Sequence, residues 1–89
     1  MPVVKFKVKC DAGQYGVKID KKDLVLVDGE GEMNLASIEE HKLVWFMAGA
    51  VGSTFNLVGK SGLKDVVIVK DKKIPSNQGD AGDYALFSI

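Results

Sequence analysis

The chain has 89 residues, enough for one compact domain and too few for a second hydrophobic core. Hydrophobic residues make up 46% and charged residues 27%, which is typical of globular proteins and unlike disordered chains. Twelve acidic residues balance twelve basic ones, and every basic residue is lysine. A neutral chain without arginine lacks the bidentate contacts favoured at nucleic-acid and phosphate sites. We therefore predict a single domain over residues 1–89 without a nucleic-acid partner.

Residues 4–10 alternate between apolar and charged side chains. Val4, Phe6 and Val8 fall on one face of an extended segment, and three lysines fall on the other. This pattern predicts a half-buried strand, and the lysines favour a place at the margin of a sheet. The alternation lacks the apolar stretch of a secretory signal or membrane span, so no membrane partner is expected. Cys10 is the only cysteine, which favours a reducing, cytoplasmic setting.

Further short apolar runs are separated by glycine-containing and aspartate-containing turns. Residues 15–19 alternate and predict a second strand. Residues 24–27 are apolar at every position, which predicts a strand covered on both faces. Residues 66–69 have the highest strand propensity of the chain and predict another buried strand, and residues 84–89 predict the last one.

Two periodicities compete in the middle of the chain. Ser37 and Glu40 have the spacing of a helix capping box, which favours a helix over residues 38–51. Residues 43–47, however, are apolar at every position and leave no polar helical face. We favour a central strand covered on both sides, paired in a hairpin with a strand around Phe55. The helix stays open as the alternative.

These elements predict an all-β, Greek-key sandwich of about seven or eight short antiparallel strands. The alternative is an α+β domain with one helix over the sheet. The core expected in either case consists of Phe6, Leu26, Trp45, Phe55, Val67 and Leu86.

A short motif near the end of the chain points to a family. Asp80-x-Gly82-x-Tyr84 resembles the tyrosine corner of immunoglobulin-like sandwiches, and Trp45 is similar to their buried tryptophan. The resemblance implies an immunoglobulin-like β-sandwich. The chain departs from the antibody-type pattern at Leu86, which stands where those domains carry a cysteine.

The sequence offers little for catalysis or zinc binding. His41 is the only histidine, and Cys10 is the only thiol with which it could form a nucleophile and base pair. We expect Cys10 to be buried and inert and His41 to lie on the surface. Zinc would need three further ligands, and no other histidine or cysteine lies near His41. The expected protein is therefore not an enzyme and has no cofactor.

Calcium is the one cofactor that the acidic residues suggest. Asp28, Glu30 and Glu32 alternate near a glycine-containing turn, and Asp80 and Asp83 lie close together in the sequence. Neither group has the full spacing of a calcium-binding loop, so solvated turn carboxylates are the favoured interpretation. Calcium binding stays the alternative.

We predict a non-catalytic binding or interaction module with a protein or carbohydrate partner, presented on the loops of the sandwich. The candidate contact residues are Tyr15, Asn77, Gln78, Asp80 and Asp83. The alternative is a structural or oligomerising domain that pairs through an edge strand, with the lysine-bearing first strand as that edge. The expected assembly is a monomer or a weak homodimer.

Overall fold

Strands whose side chains alternate between core and solvent build the whole fold. The structure, a computed structural model, describes residues 3–36 and 39–89. Within those residues there are eight strands and no helix. The strands are β1 (Val3–Cys10), β2 (Gln14–Ile19), β3 (Lys22–Asp23), β4 (Glu30–Asn34), β5 (Glu40–Ala48), β6 (Thr54–Ser61), β7 (Lys64–Lys73) and β8 (Asp80–Ser88).

The predicted all-β sandwich is confirmed, and the α+β alternative is wrong. Ser37, which would cap the alternative helix, and Ile38 lie outside the described residues. From Glu40 onward the segment is strand β5, whose side chains are buried at every second position. That period of two is the signature of a strand and is incompatible with a helix.

Two antiparallel sheets of four strands each pack face to face. Sheet 1 has the order β4-β1-β6-β7, and sheet 2 has the order β3-β2-β5-β8. Only the hairpins β2–β3 and β6–β7 join neighbours in one sheet; the other connections between described strands cross from one sheet to the other. Because β1 lies between β4 and β6, the prediction that it forms a sheet margin is wrong. Its lysines face solvent, and Lys5 and Lys7 lie opposite Glu32 and Glu30 of β4.

Aromatic contacts between the sheets hold the core together. Trp45 of β5 stacks on Phe55 of β6 with ring centroids 4.8 Å apart and an angle of 17° between the rings. Phe6 of β1 meets Phe87 of β8 edge-on at 6.1 Å. The buried hydrophobic residues are Val4, Phe6, Val8, Val17, Ile19, Leu24, Leu35, Leu43, Trp45, Met47, Phe55, Leu57, Val69, Ile74 and Phe87.

The predicted hairpin between β5 and β6 is wrong. β5 pairs with β2 and β8, and β6 pairs with β1 and β7, so the two strands belong to different sheets. Trp45 and Phe55 face each other across the sandwich instead of lying side by side. The turn at residues 49–53 therefore changes sheets, which a short glycine-containing loop permits as readily as a hairpin.

Part of the predicted core is wrong because two of its residues point to the outer faces of the sheets. Phe6, Trp45 and Phe55 are buried as predicted, and Leu26 is half-buried. Val67 of β7 is 62% exposed and Leu86 of β8 is 54% exposed. Both strands end their sheets, and each has one face toward solvent. A run that is apolar at every position does not reveal which alternate residues point inward.

Residues 24–27, predicted as a strand covered on both faces, carry the chain from one sheet to the other. Strand β3 ends at Asp23, and although Leu24 is buried, Val25 is 76% exposed. The preceding β2–β3 turn has positive φ at Asp20 and Lys21, 51° and 70°, as a tight hairpin turn requires. β4 went unpredicted because Met33 is its only large apolar residue.

The inward direction of Phe87 can be tested against its neighbour Leu86. We expect Phe87→Ala to lower the free energy of unfolding by about 3 to 5 kcal/mol, because it empties a buried ring site. Leu86→Ala should change it by less than about 1 kcal/mol, since that side chain is half in water. Urea denaturation of both variants measures the difference, and a larger loss for Leu86→Ala would contradict the register of β8.

Candidate functional site

The outer face of sheet 2 carries a contiguous group of exposed apolar side chains. Val44, Phe46, Tyr84 and Leu86 are 44%, 53%, 58% and 54% exposed, and we call these four residues the apolar face. Val44 lies directly opposite Tyr84 in the β5–β8 register, and Lys42 lies opposite Leu86. The four side chains therefore form one contiguous apolar surface, and they are not isolated exposed residues.

The apolar face follows from the alternation of β5. Leu43, Trp45 and Met47 point into the core, so Val44 and Phe46 must point outward. The prediction that both sides of this segment are covered is wrong: it is a central strand, but none of the described residues forms a layer over its outer side. The sequence places apolar side chains where a solvated sheet normally carries polar ones.

Two glycines keep this face flat around Phe46. Gly16 of β2 and Gly82 of β8 lie on either side of Phe46 in the sheet register. A Cβ atom on Gly16 would overlap the Phe46 ring, which lies down over that glycine. A Cβ atom on Gly82 would come within 2.9 Å of the Trp45 carbonyl oxygen. Side chains at these positions would raise the surface beside the ring.

The outer face of sheet 1 has the opposite character. Lys5, Lys7, Glu30, Glu32 and Lys60 dominate it, and exposed Val67 lies beside Val58 toward its β7 edge. Charged side chains thus predominate on one outer face of the sandwich, whereas apolar side chains predominate at the centre of the other. The difference singles out the outer face of sheet 2 as the candidate functional site.

Charged groups lie at both ends of the apolar face. At one end the Lys42 ammonium lies 4.8 Å from the centre of the Tyr84 ring, and Lys18 pairs with Asp23 at 3.6 Å. At the other end Asp80 begins β8 opposite Ala48. Residues 42 and 48 are about 20 Å apart along β5 at the usual rise of a strand. We call the end at Lys42 the basic end, although Glu40 lies two positions away on the same side of β5, and the end at Asp80 the acidic end.

The predicted contact residues do not form one site. Asn77 and Gln78 lie in an exposed turn closed by a hydrogen bond from the Gln78 N–H to the Pro75 carbonyl, 3.2 Å. Asp80 follows that turn at the acidic end of sheet 2. Tyr15 is half-buried, with its ring edge-on to Phe55 at 6.3 Å, and Asp83 lies farther along β8. The residues of the apolar face were not predicted, because they lie in runs that are apolar at every position. Such a run does not show which alternate residues face solvent.

His41 is buried, so the prediction of a surface histidine is wrong. Its Nδ1 lies 2.5 Å from an Asp20 carboxylate oxygen and its Nε2 lies 2.8 Å from the Ala36 carbonyl oxygen. Both partners accept hydrogen bonds, so the ring satisfies both of them by donating from its two nitrogens in the protonated form, the imidazolium. The other Asp20 oxygen accepts from the Lys42 backbone N–H at 3.0 Å. This cluster ties the β2–β3 turn to β5 and to the segment after β4.

The pKa values of the pair move in opposite directions. Burial alone would lower the pKa of His41, but the hydrogen bonds to the Ala36 carbonyl and the Asp20 carboxylate, and the negative charges of Asp20 and Glu39, raise it. Burial alone would raise the pKa of Asp20, but the hydrogen bonds from His41 and the Lys42 N–H and the nearby positive charges lower it. The ion pair is therefore favoured in mildly acid solution.

Cys10 and His41 are far apart. The Cys10 sulfur lies 4.0 Å from the Met47 sulfur, at the end of β5 remote from His41, about 20 Å away along the strand. Burial raises the pKa of the Cys10 thiol, as does the charge of Asp11, and a backbone hydrogen bond at Ala12 offsets this in part. The thiol and the imidazole do not form a catalytic pair.

The acidic residues considered for calcium lie apart or beside lysines. Glu30 and Glu32 of β4 face Lys7 and Lys5 across the β1 ladder. Asp80 and Asp83 are three positions apart on one strand and so point to opposite faces. Over residues 3–36 and 39–89, no three histidine, cysteine, aspartate or glutamate side chains are grouped to hold a metal ion. In the same residues no helix is long and apolar enough to cross a membrane.

Comparison with protein-family models, curated proteins and solved structures gives no match. The resemblance to immunoglobulin-like domains stays a prediction. In the structure Trp45 is buried, and Tyr84 is exposed in the middle of β8 with its ring against Lys42. Function is therefore inferred from the geometry of the site alone.

The ion pair predicts a particular dependence of stability on pH. Because folding raises the pKa of His41 above its ordinary value of 6.5, its contribution is complete below pH 6.5 and is lost as the pH rises through the folded value. Folding lowers the pKa of Asp20 below 3.8, so the contribution of Asp20 to stability is present above pH 3.8. It is lost only as the pH falls through the pKa of Asp20 in the folded protein. We expect the free energy of unfolding in urea to decline above pH 6.5.

Asp20→Asn should remove most of this dependence, because an amide cannot form the ion pair. The His41 ring resonances, followed by NMR, should then titrate at lower pH than in the wild type. Asp23→Asn is the matched control, since Asp23 lies in the same hairpin and pairs only with exposed Lys18. An unchanged His41 titration in Asp20→Asn would contradict the assignment.

Proposed function

We propose that the protein is a non-catalytic interaction module and that a partner protein binds the apolar face of sheet 2. The observation that carries this proposal is the contrast between the two outer faces of one sandwich. Sheet 1 presents mainly charges to water, with exposed Val67 toward one edge, whereas Val44, Phe46, Tyr84 and Leu86 form one exposed apolar surface on sheet 2. Single exposed apolar residues are common, but a contiguous group of them with polar surroundings is typical of an interface.

The composition of the face supports protein binding. Aromatic side chains are enriched at the centres of protein interfaces, and Phe46 and Tyr84 lie near the centre of this face. Burying a large apolar side chain stabilises a complex by roughly 1.5 to 3 kcal/mol. Each side chain of the apolar face would contribute less than this, because it is already partly covered. β5 is held on both sides by β2 and β8, so the face is rigid before a partner binds.

A carbohydrate partner is less well supported. Sugar binding combines stacking on an open aromatic ring with polar side chains placed to orient the ligand. Here the ammonium of Lys42 occupies the space over the Tyr84 ring, and Phe46 lies between Gly16 and Gly82. Asn77, Gln78 and Asp80 provide polar groups only at the acidic end. They would form the rim of a protein interface.

The alternative of pairing through an edge strand loses the strand on which it relied. β1 has neighbours on both sides, so its backbone groups are already paired within sheet 1. The edges of sheet 1 are β4 and β7, and β7 carries lysine or aspartate at both ends. Such charges are a common protection against pairing with another chain.

Photocrosslinking in cells that produce the protein tests the proposal. With benzoylphenylalanine at Val44, we expect an adduct of discrete mass, because that position lies within the face. The control carries the probe at Leu63, which is equally apolar and fully exposed in the β6–β7 turn. Leu86→Lys in the Val44 probe variant should reduce the adduct at least about tenfold, because it puts an uncompensated charge into the interface.

Adduct formation at Leu63 as strong as at Val44, or none at Val44, would contradict the proposed function. Folding of each variant is checked by urea denaturation, since Val44 and Leu86 are exposed and their replacement should shift stability by less than about 1 kcal/mol.

A further inference from the structure

We propose that the partner on the apolar face is a second copy of this chain, stacked face to face about a two-fold axis that crosses the strands. This inference rests on the proposed function and specifies its partner. The structural basis is that Lys42 and Asp80 lie at opposite ends of one flat apolar surface.

The positions of these two charges match a two-fold arrangement. Lys42 lies on β5 and Asp80 on the adjacent strand β8, about 20 Å apart along the strands. An axis that crosses β5 and β8 midway between them reverses the strand direction of the second copy. Each strand then lies over the same strand of the other copy, and Lys42 lies over Ala48 of that copy, about 4.8 Å to the side of Asp80. The long side chain of Lys42 can form an ion pair with Asp80 there, and the two-fold axis makes two such pairs. An isologous interface requires this kind of self-complementarity.

The apolar side chains meet in the same arrangement. The axis passes between the Phe46–Gly82 row and the Val44–Tyr84 row, so it crosses the centre of the apolar face. Phe46 of each copy then lies over Val44 of the other, and Tyr84 lies over Gly82. Stacked sheets lie about 10 Å apart, a separation that the side chain of Lys42 can span once its ammonium leaves the Tyr84 ring for the partner's Asp80. The formal net charge of zero leaves no overall repulsion between the two copies.

The available area indicates a weak dimer. Three strands with the nine-residue length of β5 cover about 15 Å by 30 Å, or roughly 450 Å² on each copy. Stable interfaces bury about 800 Å² on each partner, so this one lies at the small end of the range. We expect dissociation in the micromolar to millimolar range and therefore a monomer in dilute solution.

A charge-exchange experiment tests both the partner and the orientation. Sedimentation equilibrium measures self-association of wild-type protein, of Lys42→Glu, of Asp80→Lys and of an equimolar mixture of the two variants. Each variant alone should associate at least about tenfold more weakly, because like charges face each other twice. In the mixture, a heterodimer contains two opposite-charge pairs. One pair joins the new carboxylate of the Lys42→Glu copy to the new ammonium of the Asp80→Lys copy. The other pair joins the unchanged Lys42 of the second copy to the unchanged Asp80 of the first. The mixture should therefore associate as strongly as the wild type.

Two controls separate the interface from general effects. Lys9→Glu changes a lysine on the outer face of sheet 1 and should leave association unchanged. Val44→Lys puts a charge at the centre of the apolar face and should abolish association. Since these positions are exposed, all variants should keep the wild-type urea midpoint.

The outcomes also distinguish this inference from the proposed function. A crosslinked adduct at Val44 with twice the 9.6 kDa mass of the chain supports the dimer. An adduct of any other mass, with wild-type protein monomeric up to about 1 mM, overturns the dimer and leaves the proposed function standing. Self-association that the mixture of variants fails to restore overturns the face-to-face orientation. Absence of both adduct and association overturns both proposals.

Discussion

The stack of Trp45 on Phe55 is the contact on which the rest of the structure depends. It joins the central strand of sheet 2 to the central strand of sheet 1 and so sets the inward side of both. Once Trp45 points inward, the alternation of a strand directs Val44 and Phe46 to the outside. A shift of β5 by one residue in its pairing register would bury those two side chains and expose Trp45. The same packing that stabilises the core therefore creates the apolar face.

The sequence predicts strands well where charged and apolar residues alternate. In β1 the lysines alone identify the solvent side, and Phe6 is buried as expected. Prediction of the buried side fails where every position is apolar, as in residues 66–69 and 84–87. Both alternations are then equally apolar, and only the contacts of Val69 and Phe87 across the sandwich decide which residues are buried. The apolar face lies in such runs, so it could not be predicted.

His41 shows a second limit of sequence analysis. Its acceptors, Asp20 and Ala36, come from a hairpin turn and from the segment after β4, 21 and 5 positions away in the chain. No local pattern links these residues. A single histidine among polar neighbours is usually at the surface, and here burial is tolerated because both ring nitrogens have acceptors. The cluster secures the basic end of sheet 2, where the Lys42 N–H also bonds to Asp20.

A dimer built on the apolar face would compete with any other partner that binds there. Because the area is small, the dimer dissociates readily, and a dilute monomer presents the same face to other proteins. Binding of a different partner would then shift the equilibrium away from the dimer, so the concentration of the protein itself would regulate access. The charges at the two ends favour this outcome over uncontrolled aggregation. They permit one reversed stacking of two copies, and that stacking covers both apolar faces and leaves none for a third copy.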